Sequence, residues 1–551
     1  MKAERWPGNL VSWISILVCL ALVGSGRAAS PKPNILLIVA DDLGFSDLGC
    51  YGSEIRTPNL DKLAENGVRL TRFYSTGRCC PSRASLLTGL YPHRAGVGYM
   101  VRDLGQAGYR GRLAGDAVTI AQGLQPAGYR SFLSGKWHVG TADPTQHGFE
   151  EFYGTLASAQ TFWDPNHYVR LPRGRQPRAY REGAFYGTDA LTDHALDFLE
   201  EARKTPDRPW FLYLAYNAPH FPLQARKEDI ARYAATYEAG WDELRQRRHE
   251  RMKQLGIIPE ATALTPRSRY WDWGEEETGT NPAWDDLPAD RRKDLARRMA
   301  IYAAMVDVMD RNLGRVITHL TAHRELENTL IIFVSDNGAC AEWDPFGFDI
   351  RTSTNNILYR GESIEQMGGP GTYHSAGSGW ANASNTPWRL YKHYNHEGGI
   401  SGPCIVHWPA GLRRRGAVDD RPSHLIDLMP TLLEAAGATY PTNSGGRATA
   451  PLAGRSMLPL LQGAPVEERA LYFEHEGNRA ITEGRWKLAA LRGQGWELYD
   501  IHSDRTELKN LAAEHPDIVA ALDRKWNRWA EENFVTPLPR NLGVPYLKSS
   551  Q

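Results

Sequence analysis

The chain has 551 residues, more than one small core can use, so one large domain carrying a smaller one is expected. Lys+Arg and Asp+Glu both number 64, for a formal net charge of +0, which excludes a long-range electrostatic draw toward nucleic acid or an anionic membrane. Any anion the protein handles must be captured by local groups.

The N-terminus opens Met1-Lys2-Ala3-Glu4-Arg5, runs through the apolar stretch Leu10 to Val23 and ends in small residues around Gly24 to Ser30. That is the pattern of a secretory signal peptide over residues 1–28, cleaved after Ala28. The stretch is short for a bilayer span and no later segment resembles one, so a periplasmic or secreted protein with no stable membrane span is expected. Loss of the leader removes Cys19 and leaves Cys50, Cys79, Cys80, Cys340 and Cys404, an odd set with at least one unpaired thiol.

The run Ile35 to Ala40 is continuously apolar and stops at Asp41-Asp42, which predicts a strand buried on both faces with carboxylates at its C-terminal tip. Thr57-Pro58 opens a helix that Gly67 closes. In Cys79-Cys80-Pro81-Ser82-Arg83-Ala84-Ser85-Leu86-Leu87-Thr88-Gly89, Pro81 favours a helix start and Thr88-Gly89 a stop. Cys79 then lies at a helix N-terminus, where free amides favour an anion, with Arg83 four residues on along the same face. Further strands are predicted at Tyr129 to Leu133, followed by Gly135-Lys136-Trp137-His138, and at Trp210 to Tyr216, followed by Asn217-Ala218-Pro219-His220. The charged, tryptophan-rich region Arg226 to Arg291 has poor strand signals and reads as an insertion of helices and loops. Leu295, Met299, Tyr302, Val306, Met309, Leu313, Val316 and Leu320 mark one packed face of a long helix. Leu330 to Val334 is a strand ending in Ser335-Asp336-Asn337-Gly338. From about Ala470 come short strands at Ala470 to Phe473, Arg485 to Leu491 and Trp496 to Tyr499, then a helix from about Pro516 to Phe534.

Strands alternating with helices predict an α/β fold with a large mixed, mostly parallel sheet over residues 33–465, followed by a smaller antiparallel-sheet subdomain over 466–551. Ligands of such sheets gather at the C-terminal strand ends, where the polar clusters fall. Asp41, Asp42, Asp336 and Asn337 offer hard oxygen donors suited to Ca²⁺ or Mg²⁺ and not to zinc. The stretch Trp380 to Arg389 precedes Lys392 and is a candidate wall for a leaving-group pocket. His374 and His475 are candidates to line that pocket without a catalytic role.

The Cys79-to-Gly89 segment resembles the signature of the type I, formylglycine-dependent sulfatase family, and the resemblance runs from Pro33-Asn34-Ile35 to Trp496-Glu497-Leu498-Tyr499-Asp500. It implies an alkaline-phosphatase-like fold and oxidation of Cys79 to 3-oxoalanine (formylglycine) by a formylglycine-generating enzyme, with Cys80 as the variable position. It implies that Asp41, Asp42, Asp336, Asn337 and residue 79 hold a divalent cation, calcium ahead of magnesium. Arg83, Lys136, His138, His220 and Lys392 match the family's active-site residues, the last lying five residues before Glu397-Gly398-Gly399, and Ser158 matches by spacing a serine that touches sulfate. The implied chemistry is attack of the hydrated aldehyde on sulfur, with Arg83, Lys136, Lys392 and the metal holding the oxygens. His220 or Lys392 protonates the leaving alcohol, and His138 takes the proton whose loss expels sulfate. Lys136, His220 and Lys392 thereby also bind substrate, together with Ser158.

The implied activity is hydrolysis of sulfate monoesters, small-molecule or oligosaccharide, with sulfated carbohydrates as natural substrates. Trp241-Asp242 and the insertion resemble bacterial-type arylsulfatases, which implies action on aryl sulfates in vitro. The alternatives are a phosphonate monoester or phosphodiester hydrolase of the same superfamily, an unmodified cysteine hydrolase, and a non-catalytic protein that binds sulfated glycans.

Overall fold

The apolar runs form the inner strands of a ten-stranded sheet. In this computed structural model the described residues are Met1, Ala3, Glu4, 32–158, 161–272, 276–351 and 355–537, without the side chains of 271–278. The leader expected over 1–28, its apolar stretch and Cys19 lie outside them. Among the described residues, no helix is long and apolar enough to cross a membrane.

In chain order the strands are β1 (Asn34–Asp41), β2 (Val68–Tyr74), β3 (Arg130–Lys136), β4 (Glu151–Thr155), β5 (Val169–Leu171) and β6 (Trp210–Pro219). A hairpin of β7 (Arg269–Asp272) and β8 (Glu276–Thr280) follows, then β9 (Thr329–Ser335), β10 (Ser401–His407), β11 (Ala417–Asp419) and β12 (Ser423–His424). The main sheet has the order β11-β2-β10-β9-β1-β6-β3-β4-β5, with β12 also on β2. Its centre, β9-β1-β6-β3-β4, is parallel, while β10 and β5 run against their neighbours. Five strands therefore point their C-terminal ends to the same edge, and that edge carries the chemistry.

β1 shows why the centre must be apolar. Ile35, Leu37 and Val39 pack into one helical layer and Leu36, Ile38 and Ala40 into the other, so neither face tolerates a polar side chain. The long helix Ala289–Ala322 buries every residue of its predicted stripe. The segment expected to hold helices and loops contains the helices Lys227–Ala231 and Gly240–Gln254, and in addition the β7–β8 hairpin.

After a small hairpin of β13 (Asn443–Ser444) and β14 (Arg447–Ala448), the chain forms an antiparallel sheet of β15 (Leu471–His475), β16 (Asn478–Glu483), β17 (Trp486–Ala490) and β18 (Glu497–Asp500). The helix Pro516–Glu532 lays Leu522, Trp526 and Trp529 against Ile481, Leu488 and Leu498 of that sheet, and Tyr91 and Ile426 of the main domain join the same cluster. A buried ionic knot ties the two parts further. Lys487 Nζ lies 2.9 Å from Glu397 Oε1 and 2.8 Å from Glu507 Oε1, and Arg505 donates to Glu397 Oε2 at 2.7 Å and to the Thr71 carbonyl at 2.7 Å. Removal of one partner from such a buried group leaves uncompensated charge and costs about 3–5 kcal/mol. Lys487→Met should therefore lose its near-ultraviolet circular dichroism at clearly lower urea than the parent; an unchanged midpoint would mean that the knot contributes nothing.

Candidate active site

The helix Cys79–Thr88 starts after an extended Arg78 that provides no side-chain cap, and ends at Gly89 with φ 69°. Its first amides are thus left free for a ligand. Opposite it lie the tips of β1, β3, β6 and β9. β3 approaches β6 so closely just before Lys136 that a Cβ on Gly135 would stand 1.8 Å from the Ala215 carbonyl oxygen, and only glycine fits there. Asp42 and His138 leave their strands with φ of 67° and 54°. Such left-handed backbone costs about 1–3 kcal/mol per residue and is retained where the surroundings impose it.

The charged side chains meet in three short pairs. Lys136 Nζ donates to Asp41 Oδ2 at 2.6 Å, Lys392 Nζ to Asp42 Oδ2 at 2.8 Å, and Arg83 Nη2 to Asp336 Oδ2 at 2.8 Å. All six are at most 1% exposed. The other edge of each carboxylate turns inward. Asp42 Oδ1 accepts from Asn337 Nδ2 at 2.7 Å and Asp336 Oδ1 from the Asp42 amide at 3.2 Å, while Asp41 Oδ1, 3.6 Å from Arg83 Nη2, and Asn337 Oδ1 are buried with no hydrogen-bond partner among the described residues. His220 brings Nε2 to 3.4 Å from Asp42 Oδ2 and orients through Nδ1 and the Phe221 carbonyl oxygen, 2.6 Å apart. The unpartnered amide oxygen of Asn337 and the Asp41 Oδ1 edge, beside the carboxylates of Asp42 and Asp336, fit a hard divalent cation. A divalent ion bound there would add positive charge beside three side-chain cations and so suit the centre to an anion.

Burial opposes ionisation of Asp41, yet Lys136, His220 and Arg83 outweigh it and hold its carboxyl below the usual range. Asp336 goes the other way, raised by burial and by repulsion from Asp41. A hydrogen bond from Cys80 lowers the Cys79 thiol well below the ordinary value, with Lys136 and His138 acting in the same sense against burial. Burial raises Cys80. His138 Nε2 lies 3.2 Å from Cys80 Sγ, and the ligand atoms of Cys79, Cys80 and His138 lie within 4.8 Å of one another.

One buried centre thus collects Cys79, Arg83, Lys136, His138, His220, Lys392, Asp41, Asp42, Asp336 and Asn337. Ser158 stands on the loop after β4, half-buried, beside positions 159 and 160 that lie outside the described residues. His374 is buried against Asp349, and His475 stacks on Tyr99 at 6.3 Å and lies 6.1 Å from the His393 ring. Trp380 and Trp388 are core residues, the first donating to the Leu295 carbonyl at 2.8 Å and the second packing on Phe45. Trp380, Ala381 and Ser384 do border a small cavity beside Asp42, His220 and Cys340. Sequence reasoning missed the layer around Lys392. Glu342 lies 3.7 Å from Lys392, 3.3 Å from Arg78 and 3.0 Å from His393, whose Nδ1 is 2.7 Å from Glu476 Oε2. These residues carry no motif; only the position of Arg78 directly before Cys79 could have pointed to it.

The sequence profile of the family described as Sulfatase matches residues 33–438. The chain belongs to the sulfatase family. A second profile, described as N-sulphoglucosamine sulphohydrolase, C-terminal, matches residues 388–532. An uncharacterized sulfatase of Schizosaccharomyces pombe is 36% identical, covering 93% of this chain and 96% of the relative. The arylsulfatase of Klebsiella aerogenes is 32% identical, with 84% and 98% covered. Among solved structures, Ps i-CgsB in complex with k-i-k-neocarrahexaose superposes with a TM-score of 0.64 at 27% identity, covering 93% of this chain and 96% of that one. The phosphonate monoester hydrolase of Agrobacterium radiobacter shares the fold, with a TM-score of 0.52 at 21% identity and 91% and 96% covered. The chain is accordingly an enzyme that hydrolyses sulfate esters, in a family that uses formylglycine and a divalent cation.

Burial, helped by Lys136, lowers His138 from 6.5 to about 4, so its ring is neutral at pH 7 and can accept a proton. The unfolded chain takes up that proton first, so this group erodes stability as pH falls from the free value toward the depressed one, and not above it. In nitrogen-15 spectra of the ring, His138 should remain neutral through the whole range in which free imidazole titrates; protonation at the free value would refute the assigned environment.

Proposed function

We propose that this sulfatase is an exported, calcium-dependent enzyme that releases sulfate from sulfated carbohydrates through a formylglycine made from Cys79, and that it accepts aryl sulfates in vitro. The observation that carries the reading is the position of Cys79 at an uncapped helix N-terminus, in the same buried centre as three carboxylate–cation pairs. Calcium fits the all-oxygen set of Asp41, Asp42, Asp336 and Asn337. The oligosaccharide bound by Ps i-CgsB supports a sugar substrate, and the Klebsiella enzyme supports aryl sulfates. The charged start and apolar stretch of residues 1–28 support a cleaved leader and a periplasmic or secreted location. We assign the catalytic domain to 33–465 and the C-terminal subdomain to 466–551.

Formylglycine at position 79 would supply, once hydrated, an oxygen nucleophile towards sulfur and a second hydroxyl that serine lacks. The chain's own groups do the rest. Arg83, Lys136 and Lys392 present positive charge to the sulfate oxygens, pre-oriented by their carboxylates. His220, fixed through Nδ1, directs Nε2 into the centre and with Lys392 is placed to protonate the leaving oxygen. His138, neutral and beside position 79, accepts the proton of the second step. Ser158 would join Lys136, His220 and Lys392 in binding the ester as substrate enters.

Mass analysis of the tryptic peptide Cys79–Arg83 from active enzyme should find a species lighter than the thiol and reactive with hydroxylamine. An untouched thiol at position 79 in fully active protein would instead support the depressed Cys79 thiolate as nucleophile and end the aldehyde reading. Cys79→Ser should be inactive or retain sulfate covalently, because serine has no second hydroxyl. Parallel kinetics on an aryl sulfate and an aryl phosphonate should favour sulfur; the reverse preference would move the enzyme to phosphorus.

Loss of a general acid matters most when the leaving group is a poor one. His220→Ala should lower kcat/KM by about 10²–10⁴-fold on a sugar sulfate and much less on nitrophenyl sulfate, whose phenolate departs unprotonated. Equal losses on the two substrates would remove the acid role.

A further inference from the structure

We propose that the groove between β2 and the C-terminal subdomain is a second binding site, one that takes an oxyanion group, sulfate or carboxylate, borne by a small molecule or sugar. The groove has a volume of about 780 Å³, within the range of about 300–1,000 Å³ typical of small-ligand sites, and it is lined by Arg72, Arg421, Arg455 and Arg469. None of its lining residues belongs to the Cys79 centre, so the proposal does not rest on the reaction assigned above.

The four arginines are not equivalent. Arg421 is saturated: it donates to both oxygens of Asp419 and to the carbonyls of Leu460 and Ala464, so it fixes the wall. Arg455 stands at the rim, 56% exposed, 3.8 Å from Glu467. Arg72 and Arg469 differ from both. Arg72 is 8% exposed, on the face of β2 opposite Phe73, and makes no hydrogen bond or ion pair among the described residues. Its Nε is fully buried without a partner. Arg469 pairs with Asp427 through Nη2, while its Nη1 is likewise buried and unpartnered. The other lining carboxylates, Asp420, Glu467 and Glu468, are exposed at the rim.

Two guanidinium groups thus line one groove, Arg72 with no acceptor among the described residues and Arg469 with one arm unpaired among them. A buried charged donor left unsatisfied is unfavourable, and planar forks of this kind match carboxylate, sulfate and phosphate geometry. A neutral sugar hydroxyl would satisfy one donor but not the charge, which selects an anionic ligand.

Crystals of the full chain soaked in selenate should show an anomalous peak within hydrogen-bonding distance of Arg72 and Arg469, and a parallel soak in glucuronate distinguishes a carboxylate in the same place. Density for either anion at the two guanidinium groups supports the site and tells which oxyanion it takes. Selenate confined to the Cys79 centre, with glucuronate absent, overturns it. In solution, Arg72→Met should abolish the groove's share of sulfate binding measured by calorimetry while kcat/KM on an aryl sulfate stays at the parental value; binding of undiminished stoichiometry would refute the assignment. The soak of the parent protein decides the matter even if Arg72→Met fails to fold.

Discussion

The active centre depends on a mutual neutralisation. Asp41, Asp42 and Asp336 are removed from water together with Lys136, Lys392 and Arg83, and none could be buried alone without a cost of several kcal/mol per ion. Each cation holds one carboxylate oxygen at hydrogen-bonding distance, and the second oxygens of Asp42 and Asp336 accept from Asn337 and from the Asp42 amide. The same pairs therefore satisfy the chain when it folds and shape a hard-oxygen nest. In the proposed reaction a substrate anion would meet cations whose positions are already fixed, so little reorganisation would be needed as charge builds on the leaving oxygen.

This neutralisation is possible only because the central strands are parallel. Lys136, Asp41, Pro219 and Ser335 stand at the ends of four strands that run the same way, so Lys136 reaches Asp41 across the end of the intervening β6, with His220 and Asp336 one residue past their strands. The left-handed turns at Asp42 and His138 keep the chain at the edge for one more residue. They hold those two side chains toward the centre at a conformational cost that the packed sheet sustains.

The legible parts of the sequence were those where one physical demand acts alone. β1, β6 and β9 are covered on both faces and read as unbroken apolar runs, and their polar tips then stood out. β2 and β10 did not read as strands. β2 carries Arg69, which donates to the Cys50 carbonyl, and Thr71 and Arg72, which meet the C-terminal subdomain and the groove, and β10 contains Gly402 and Pro403 beside a bulge. The site residues were legible through motif resemblance, which names positions but not neighbours. Glu342, His393 and Glu476 come from three separate loops, and only tertiary contact makes them one cluster with Arg78. The expected pocket wall at Trp380 is only part of the story: Trp380, Ala381 and Ser384 border the cavity beside Asp42 and His220, while Tyr237, Trp241 and Trp284 enclose the Trp380 ring in an aromatic core.

The same contacts give the C-terminal sheet a part in the active centre. Lys392 is held from behind by Glu342, which also holds Arg78 at the start of the Cys79 helix and His393, and His393 in turn meets Glu476 at the β15–β16 turn. Five residues after Lys392, Glu397 enters the buried knot with Lys487 and Arg505. The short segment bearing the lysine is therefore clamped at both ends by charges from the C-terminal subdomain. A displacement of that subdomain would have to break buried ion pairs before Lys392 could drift from Asp42, and so the position of a cation in the main domain is set by packing that the main sheet does not itself supply.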